Sequence, residues 1–282
     1  MIVDLETQWF TGPGYSQCAN ALRLLQNYGR DHDPAALDEV IALMKSAEPA
    51  AVTRAGRAFC HFHLGQAYYA KYGVTGSLDD LTWGLRRMRE AVEEDNPGHN
   101  RGDRLRLLSE ALITAVEILR PGEQFAREHL VLAEKWLREA LPLLHGNDVA
   151  LCWLDLGLVM FQQARHFGSG QAWDAAVENF LKARDLATND TTRAMCLGNL
   201  GKALILAYNS KPSTDLAAAI VAAYDNAAMT SPPDDPDHSV HVQQQRWIRE
   251  RFKLPAADPS PWVTVAEGTR MNVLTGEIQR TP

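Results

Sequence analysis

Residues 195–208 read MCLGNLGKALILAY, and the pattern returns at Phe59–Tyr72 as FCHFHLGQAYYAKY and at Leu151–Ala164 as LCWLDLGLVMFQQA. Each stretch carries Leu-Gly at the same distance from its start: Leu64-Gly65, Leu156-Gly157 and Leu200-Gly201. Asp103–Val116 has Leu108-Ser109 at that place, and Tyr15–Tyr28 has Ala21. A small residue therefore recurs at 21, 65, 109, 157 and 201, with spacings of 44, 44, 48 and 44. A second ladder lies downstream of each stretch, a bulky residue followed by alanine: Met44/Ala47, Met88/Ala91, Leu137/Ala140, Phe180/Ala183 and Tyr224/Ala227. Its alanines recur at intervals of 44, 49, 43 and 44. Two independent ladders with one period mark an internal structural repeat.

The chemistry of the ladders points to paired helices. Two antiparallel helices approach closely only where one presents Gly, Ala or Ser at the crossing. Neither helix of a pair buries its whole apolar face alone, so neighbouring pairs must stack. The expected fold is all-α: a right-handed superhelical solenoid of about five helix pairs with a capping helix and a short C-terminal extension. The expected divisions are an N-terminal arm over 1–14, the solenoid with its cap over 15–253, and a proline-rich linker with an extended or hairpin tail over 254–282. Gly73 is expected to close the first helix of the second pair, and Ser77 in SLDD to cap the next, with carboxylates in its first turn. Asp33-Pro34, Glu48-Pro49, Asn96-Pro97 and Ser231-Pro232-Pro233 punctuate other boundaries.

The next rung after Gly201 is Gln245, where the small residue is lost. The stretch SVHVQQQRWIRERF still reads as a helix, with Val240, Trp247, Ile248 and Phe252 on an apolar stripe and Gln243, Arg246, Arg249 and Glu250 opposite. A terminal cap has this pattern. Beyond Lys253 the period ends. Trp262–Val265 and Met271–Leu274 read as two short strands around Glu267-Gly268, with a turn at Thr275-Gly276. An isolated hairpin is marginal in water, so the tail is expected to lie on the solenoid, pair with another chain, or be disordered.

These ladders resemble the tetratricopeptide (TPR) family, whose motif runs Trp/Leu-x-x-Leu-Gly-x-x-Tyr in one helix and Ala-x-x-x-Phe/Tyr-x-x-Ala, then Pro, in the next. Leu197, Leu200, Gly201, Tyr224, Ala227 and Pro232 match it, as do Trp153, Leu156, Gly157, Ala176, Phe180 and Ala183. The resemblance covers residues 15–253, with a period of about 44 in place of the usual ~34. The extra residues fall mainly between the helices of a pair, as in YAKYGVTGSLDDL at 69–81. This long form is similar to bacterial TPR arrays that accompany caspase-like CHAT peptidases or signalling ATPases. No peptidase or ATPase segment is found in the chain, so no such activity is carried over.

Composition narrows the functional classes. Apolar residues make up 46% and charged residues 22%, an ordinary globular balance that excludes wholesale disorder. The net charge of −7 supplies no basic field for nucleic acid or anionic lipid. No apolar run reaches membrane-spanning length, and Met1–Phe10 carries acids where a signal peptide needs a basic head. Four scattered cysteines do not make a disulfide framework, and a cytoplasmic protein is expected. No metal or cofactor is expected. His61 and His63 point to opposite sides of a helix and do not chelate one ion, and His61 shares its phase with Leu105, Trp153 and Leu197, as packing residues do. His238 and His241, beside Asp234, Asp235 and Asp237, read as a polar helix start, with a shared ion as the sharper alternative. Cys60, Cys152 and Cys196 share one phase and read as small core residues, whereas the phase of Cys18 leaves it free to face a groove. Gly168-Ser169-Gly170 lacks the Gly-Lys-Ser/Thr of a phosphate loop.

The resemblance implies a concave groove lined by fixed positions of each first helix. Mapped by phase, these are Tyr15, Cys18, Leu22 and Leu25 in the first repeat, and Phe59, Phe62, His63, Gln66 and Tyr69 in the second. The third gives Asp103, Arg106, Glu110 and Ile113. The fourth gives Leu151, Leu154, Asp155, Leu158 and Phe161, and the fifth Met195, Asn199, Lys202 and Ile205. Aromatic anchors in such a trough suit capture of a peptide or protein segment. The chaperone-tail carboxylate clamp of some TPR proteins is disfavoured, because only Asn199 falls at a fitting phase and Lys202 and Arg106 do not complete the set. The leading expectation is a non-enzymatic scaffold or adaptor, working beside a separate signalling effector, with no nucleic acid or membrane among its partners. A ligand sensor is the alternative. An enzyme using Asp103, Glu110, Asp155 or His63 for acid–base chemistry comes third.

Overall fold

The computed structural model describes residues 9–31, 33–94, 100–119, 122–252, 262–266, 269–272 and 278–280. The described residues form eleven α-helices: α1 (Gly14–Asp31), α2 (Pro34–Ala47), α3 (Arg54–Thr75), α4 (Leu78–Glu94), α5 (Arg101–Leu119), α6 (Glu123–Ala140), α7 (Asn147–Phe167), α8 (Gly170–Leu186), α9 (Asp190–Ser210), α10 (Thr214–Thr230) and α11 (His238–Phe252). The fold class is all-α, of the solenoid type in which consecutive helices pack as neighbours. The chain divides into two compact units, Met1–Arg120 with Arg138–Leu143, and Pro121–Leu137 with Leu144–Pro282.

In the first unit α1 packs on α2 and α3 on α4, and α2 and α4 in turn meet α3 and α5. In the second, α7 packs on α8 and α9 on α10, while α8 meets α9 and α10 meets α11. The two ladders explain why. A Cβ added to Gly65 would stand 2.7 Å from Met88 Cγ and 2.9 Å from Met88 N. One added to Gly157 would stand 2.5 Å from Phe180 Cδ1, and one added to Gly201 2.6 Å from Tyr224 Cε2. In every case the small residue faces the bulky residue 23 positions on. Ala21 and Met44 keep that separation and are both fully buried in the first unit's core. At Gly65 the approach is backbone to backbone, since Gly84 of α4 would itself place a Cβ 3.1 Å from Tyr69 N. Ser109 is buried with its hydroxyl donating to Leu105 O at 2.7 Å, so its polar atom is satisfied within its own helix.

Helix starts follow the same period. Asp33, Ser77, Ser169 and Ser213 each lie twelve residues past their pair's small residue. Their side chains accept from Ala35 N, Asp80 N, Ala172 N and Leu216 N, satisfying amides that the first helical turn leaves open. Gly73 does not end α3 as expected. The helix continues to Thr75, and Gly76, at φ +67°, donates its N–H to Tyr72 O. Gly168 closes α7 in the same left-handed conformation at φ +66°, which costs glycine no Cβ clash.

Polar stitches between repeats recur in one phase at the start of the first helices of the second unit. Asn147 Nδ2 donates to Thr192 Oγ1 at 2.8 Å, and Thr191 Oγ1 donates to Asp235. The indole of buried Trp173 in α8 donates to Ala203 O of α9 at 2.8 Å. In the first unit, Thr11 N donates to Ala50 O and Val52 N to Trp9 O, tying Trp9 and Phe10 to the junction of α2 and α3.

The end of the chain departs from the expectation in detail. α11 buries His241 and Ile248, whereas Val240 and Trp247 of the expected stripe are 43% and 52% exposed. Polar contacts share the anchoring: Arg249 makes a forked pair with Asp225 of α10, and Gln245 donates to the same carboxylate. Three strands follow in place of two, β1 (Trp262–Ala266), β2 (Thr269–Asn272) and β3 (Ile278–Arg280), in an antiparallel sheet ordered β1-β2-β3. Val263 pairs with Met271, and Arg270 with Gln279. β1 lies beside α10. The expected linker, Asn96-Pro97 and the turns at Glu267-Gly268 and Thr275-Gly276 lie outside the described residues.

Two glycines of α3 separate crossing from propensity. Gly65→Ala should lower unfolding free energy by about 1–3 kcal/mol, because its methyl meets backbone that side-chain adjustment does not relieve. Gly73 has open space around it, and Gly73→Ala should raise stability by about 0.5 kcal/mol through the unfolded chain. Urea denaturation of the two variants checks the contrast.

Candidate functional site

The inward phase expected from the repeat is divided between the two units, and each part has its own geometry. In the first unit Phe59 is 1% exposed, its ring 5.9 Å from Trp9, 6.4 Å from Phe10 and 4.4 Å from His63. The N-terminal segment that bonds to the α2–α3 junction therefore covers this anchor, which is core. Phe62 is also buried, with the Arg104 guanidinium 5.6 Å from its ring centre. His63 lies beneath them with Nδ1 2.8 Å from Gln66 Oε1. Half-buried Tyr69 shares a 2.8 Å hydroxyl–hydroxyl bond with Thr114 of α5. Arg106 and Glu110 are half-buried and pair with each other at 3.2 Å. Ile113 is buried, Asp103 half-buried, and Tyr15, Leu22 and Leu25 pack partly buried on the core. Cys18 does not face a groove: it is fully buried, with its sulfur 3.8 Å from that of Cys60.

Burial sets the proton chemistry here. It pushes His63 down to about 4, with Arg104 adding to the effect and the Gln66 bond opposing it. The Cys60 thiol is driven up by its bond to Cys18 and by burial, and burial lifts Cys196 to about 12. Both thiols are held in the protonated, weakly nucleophilic form at neutral pH. His61 packs among carboxylates. It is buried, and its Nε2 lies 2.9 Å from Glu48 Oε1 and its Nδ1 3.7 Å from Glu94 Oε2. Arg87 bridges Glu48 to Glu90 at 3.2 and 3.0 Å, so this network joins the 3-10 turn after α2 to α4.

In the second unit Leu154 and Asp155 are buried, and Leu151, Leu158, Phe161 and Ile205 are half-buried. Three expected residues come together on one opening. Met195, Asn199 and Lys202 of α9 line a cavity of about 210 Å³ with Asp237 from the turn before α11, and Val240, His241 and Gln244 of that helix. Lys202 Nζ donates to Asn199 Oδ1 at 3.1 Å, and Asn199 Nδ2 donates to Met195 O at 3.0 Å. His241 is 8% exposed, and its imidazole rests against Gly198, where a Cβ would stand 3.3 Å from Cε1. Burial pulls its proton affinity down, against the upward pull of Asp237 and Asp235. The α11 residues were not among the expected groove positions. They lie on the flank of α11 that turns back on α9, and their sequence signal was the pair His238 and His241 beside three aspartates. In the structure His238 Nδ1 donates to Ser231 O at 3.0 Å, while His241 packs against Gly198. No group of three or more ligating side chains occurs among the described residues.

A second cavity of about 640 Å³ lies over the Gly168-Ser169-Gly170 turn. Ala164, Trp173, Leu206 and Ala207 line it together with Arg165, Asp174 and Lys211. No described helix is long and apolar enough to cross a membrane. Set against protein-family models and curated proteins, the chain matches none.

Buried neutral His63 makes stability depend on pH. Below about 6.5 the unfolded chain takes up a proton that the folded chain refuses until about pH 4. Stability is therefore full above 6.5 and falls as pH drops to 4, by up to about 3 kcal/mol from this group. His63→Leu should flatten that part of the profile. Urea midpoints of both proteins between pH 7 and 4 check it, and parallel curves contradict it.

Proposed function

We propose that the chain is a tetratricopeptide-like adaptor that holds a peptide or protein segment against the inward face of its first helices. One observation carries the reading. The residues that the repeat phase turns inward on α9, Met195, Asn199 and Lys202, are those at which a cavity opens beside α11. The buried inward residues of α3 leave that helix less open surface, so the binding epitope is centred on the α9–α11 end. The adaptor works in the cytoplasm beside a separate signalling effector, in the way the TPR resemblance implies. The acidic net charge is consistent with a protein rather than a nucleic-acid partner.

A second reading, a small-ligand sensor, has its own observation. The cavity over Gly168-Ser169-Gly170, at about 640 Å³, falls in the size range that buries a small organic molecule. A ligand seated there would act on α7, α8 and α9 together.

Native mass spectrometry of the tagged chain, purified gently from its own cells, tests the adaptor reading. The wild type should carry a stoichiometric polypeptide that is lost from an Asn199→Leu, Lys202→Glu variant whose helicity and melting temperature are unchanged. A polypeptide retained equally by the variant overturns the assignment of the face. A retained small molecule in its place favours the sensor.

A further inference from the structure

The fold brings two of the four cysteines together. Cys18 of α1 and Cys60 of α3 lie 42 positions apart in sequence, with their sulfurs 3.8 Å from each other and one thiol donating to the other. Both are fully buried in the first unit's core. A disulfide has a sulfur–sulfur length of about 2.05 Å, so the pair stands within about 2 Å of bonding. Cys152 is placed differently, its thiol donating to Leu137 O at 3.3 Å.

Burial shields both thiols in the closed fold, but the two helices are not held equally. α3 buries ten residues along its length, among them Phe59, Phe62 and Leu64. Of the α1 residues whose exposure is described, only Gly14, Cys18 and Ala21 are buried, while Leu22, Leu24 and Leu25 stay partly exposed. α1 packs chiefly on α2, with a small contact on α3. A helix with so few buried apolar contacts opens locally at a lower free energy than the core helix it covers. Opening carries Cys18 into water, where its sulfur meets small oxidants, and leaves Cys60 on the fixed helix.

The chemistry then runs in two steps. The Cys18 thiolate attacks one oxygen of hydrogen peroxide, the O–O bond breaks, and the departing hydroxide takes a proton, leaving a sulfenic acid and one water. Reclosing of α1 returns that sulfur to Cys60. The Cys60 sulfur attacks it, the S–O bond breaks, and the Cys60 proton leaves with the hydroxide as a second water. The largest cause that holds Cys60 protonated is its bond to the Cys18 thiol, and that thiol is gone once Cys18 is oxidised. We propose that Cys18 and Cys60 are a peroxide-responsive pair whose disulfide staples α1 onto α3. In a reducing compartment such a bond is transient and reports oxidation. The bond closes a chain loop and suppresses the opening of α1, so the first unit is more rigid when oxidised.

The folded, reduced full chain is treated with hydrogen peroxide, alkylated with N-ethylmaleimide in denaturant, and mapped by peptide mass spectrometry. The treated chain should be lighter by two hydrogens before alkylation, with Cys18 joined to Cys60 and with Cys152 and Cys196 alkylated. The linkage should form at least about tenfold faster than either of the other two thiols is lost, since thiols that reach solvent outrun buried ones. Amide exchange along α1 should slow in the oxidised chain and return to its reduced rate with dithiothreitol. In Cys60→Ala, dimedone should trap the sulfenic acid on Cys18, and in Cys18→Ala it should leave Cys60 unlabelled. Full alkylation of Cys18 and Cys60 after peroxide, linkage to Cys152 or Cys196 instead, or a sulfinic acid on Cys18 with Cys60 alkylated overturns the proposal. So does dimedone on Cys60, or unchanged exchange along α1 in a chain that carries the bond. The peptide map uses the wild type alone and refutes the proposal even where a variant does not fold.

Discussion

Helices α3 and α4, α7 and α8, and α9 and α10 meet where a glycine lies under a bulky residue 23 positions later, and the rest of each pair is arranged around that approach. Gly157 under Phe180 and Gly201 under Tyr224 let an aromatic ring lie directly on the partner backbone. Gly65 and Gly84 bring two backbones together without any ring between them. Such contacts gain dispersion along the whole crossing, because close-packed interiors lose much of their attraction to a gap of half an ångström. They also fix the axial register of each pair, since sliding by one residue puts a Cβ where there is space for none. The periodic caps at Asp33, Ser77, Ser169 and Ser213 then start each second helix at the distance the crossing requires.

This geometry decides which surfaces are left for binding. The inward phase of a first helix is not automatically open, because the same helix turn touches its neighbours. In the first unit that phase is largely consumed: Phe59 lies under Trp9 and Phe10, Phe62 under Arg104, and Tyr69 is tied to Thr114. In the second unit Gly198 gives α9 a second glycine, one rung short of the crossing, and His241 of α11 occupies the space it leaves. α11 is held to α10 by Arg249 and Gln245 on Asp225. The cavity at Met195, Asn199 and Lys202 remains beside it, and the adaptor proposal is centred there.

The pairing of helices was legible in the sequence because the crossing is written in two local patterns at constant separation. Ser77 and the core cysteines at 60, 152 and 196 were legible for the same reason, each recurring in phase. Features set by contacts distant in sequence were not. The covering of Phe59 depends on a segment almost fifty residues earlier, and the burial of Cys18 on its meeting with Cys60. The end of α3 depends on which of Gly73 and Gly76 turns left-handed, a choice composition leaves open. Trp247 read as core by its stripe, but no helix pair follows α11 among the described residues, and the ring stays half in water with Arg251 over it. The pocket residue His241 was visible only as one of two histidines near aspartates, since its meaning comes from Gly198 on another helix.

A double-mutant cycle at Gly157 and Phe180, read by urea denaturation, tests the central claim most directly. Gly157→Ala should destabilise the wild type by about 1–3 kcal/mol, since its methyl would stand 2.5 Å from the Phe180 ring. In a Phe180→Leu background the ring is gone and the same methyl should cost far less, leaving a coupling of about 1 kcal/mol or more. Additive effects of the two substitutions would contradict the account, because they would mean that the small residue and the ring do not share one space.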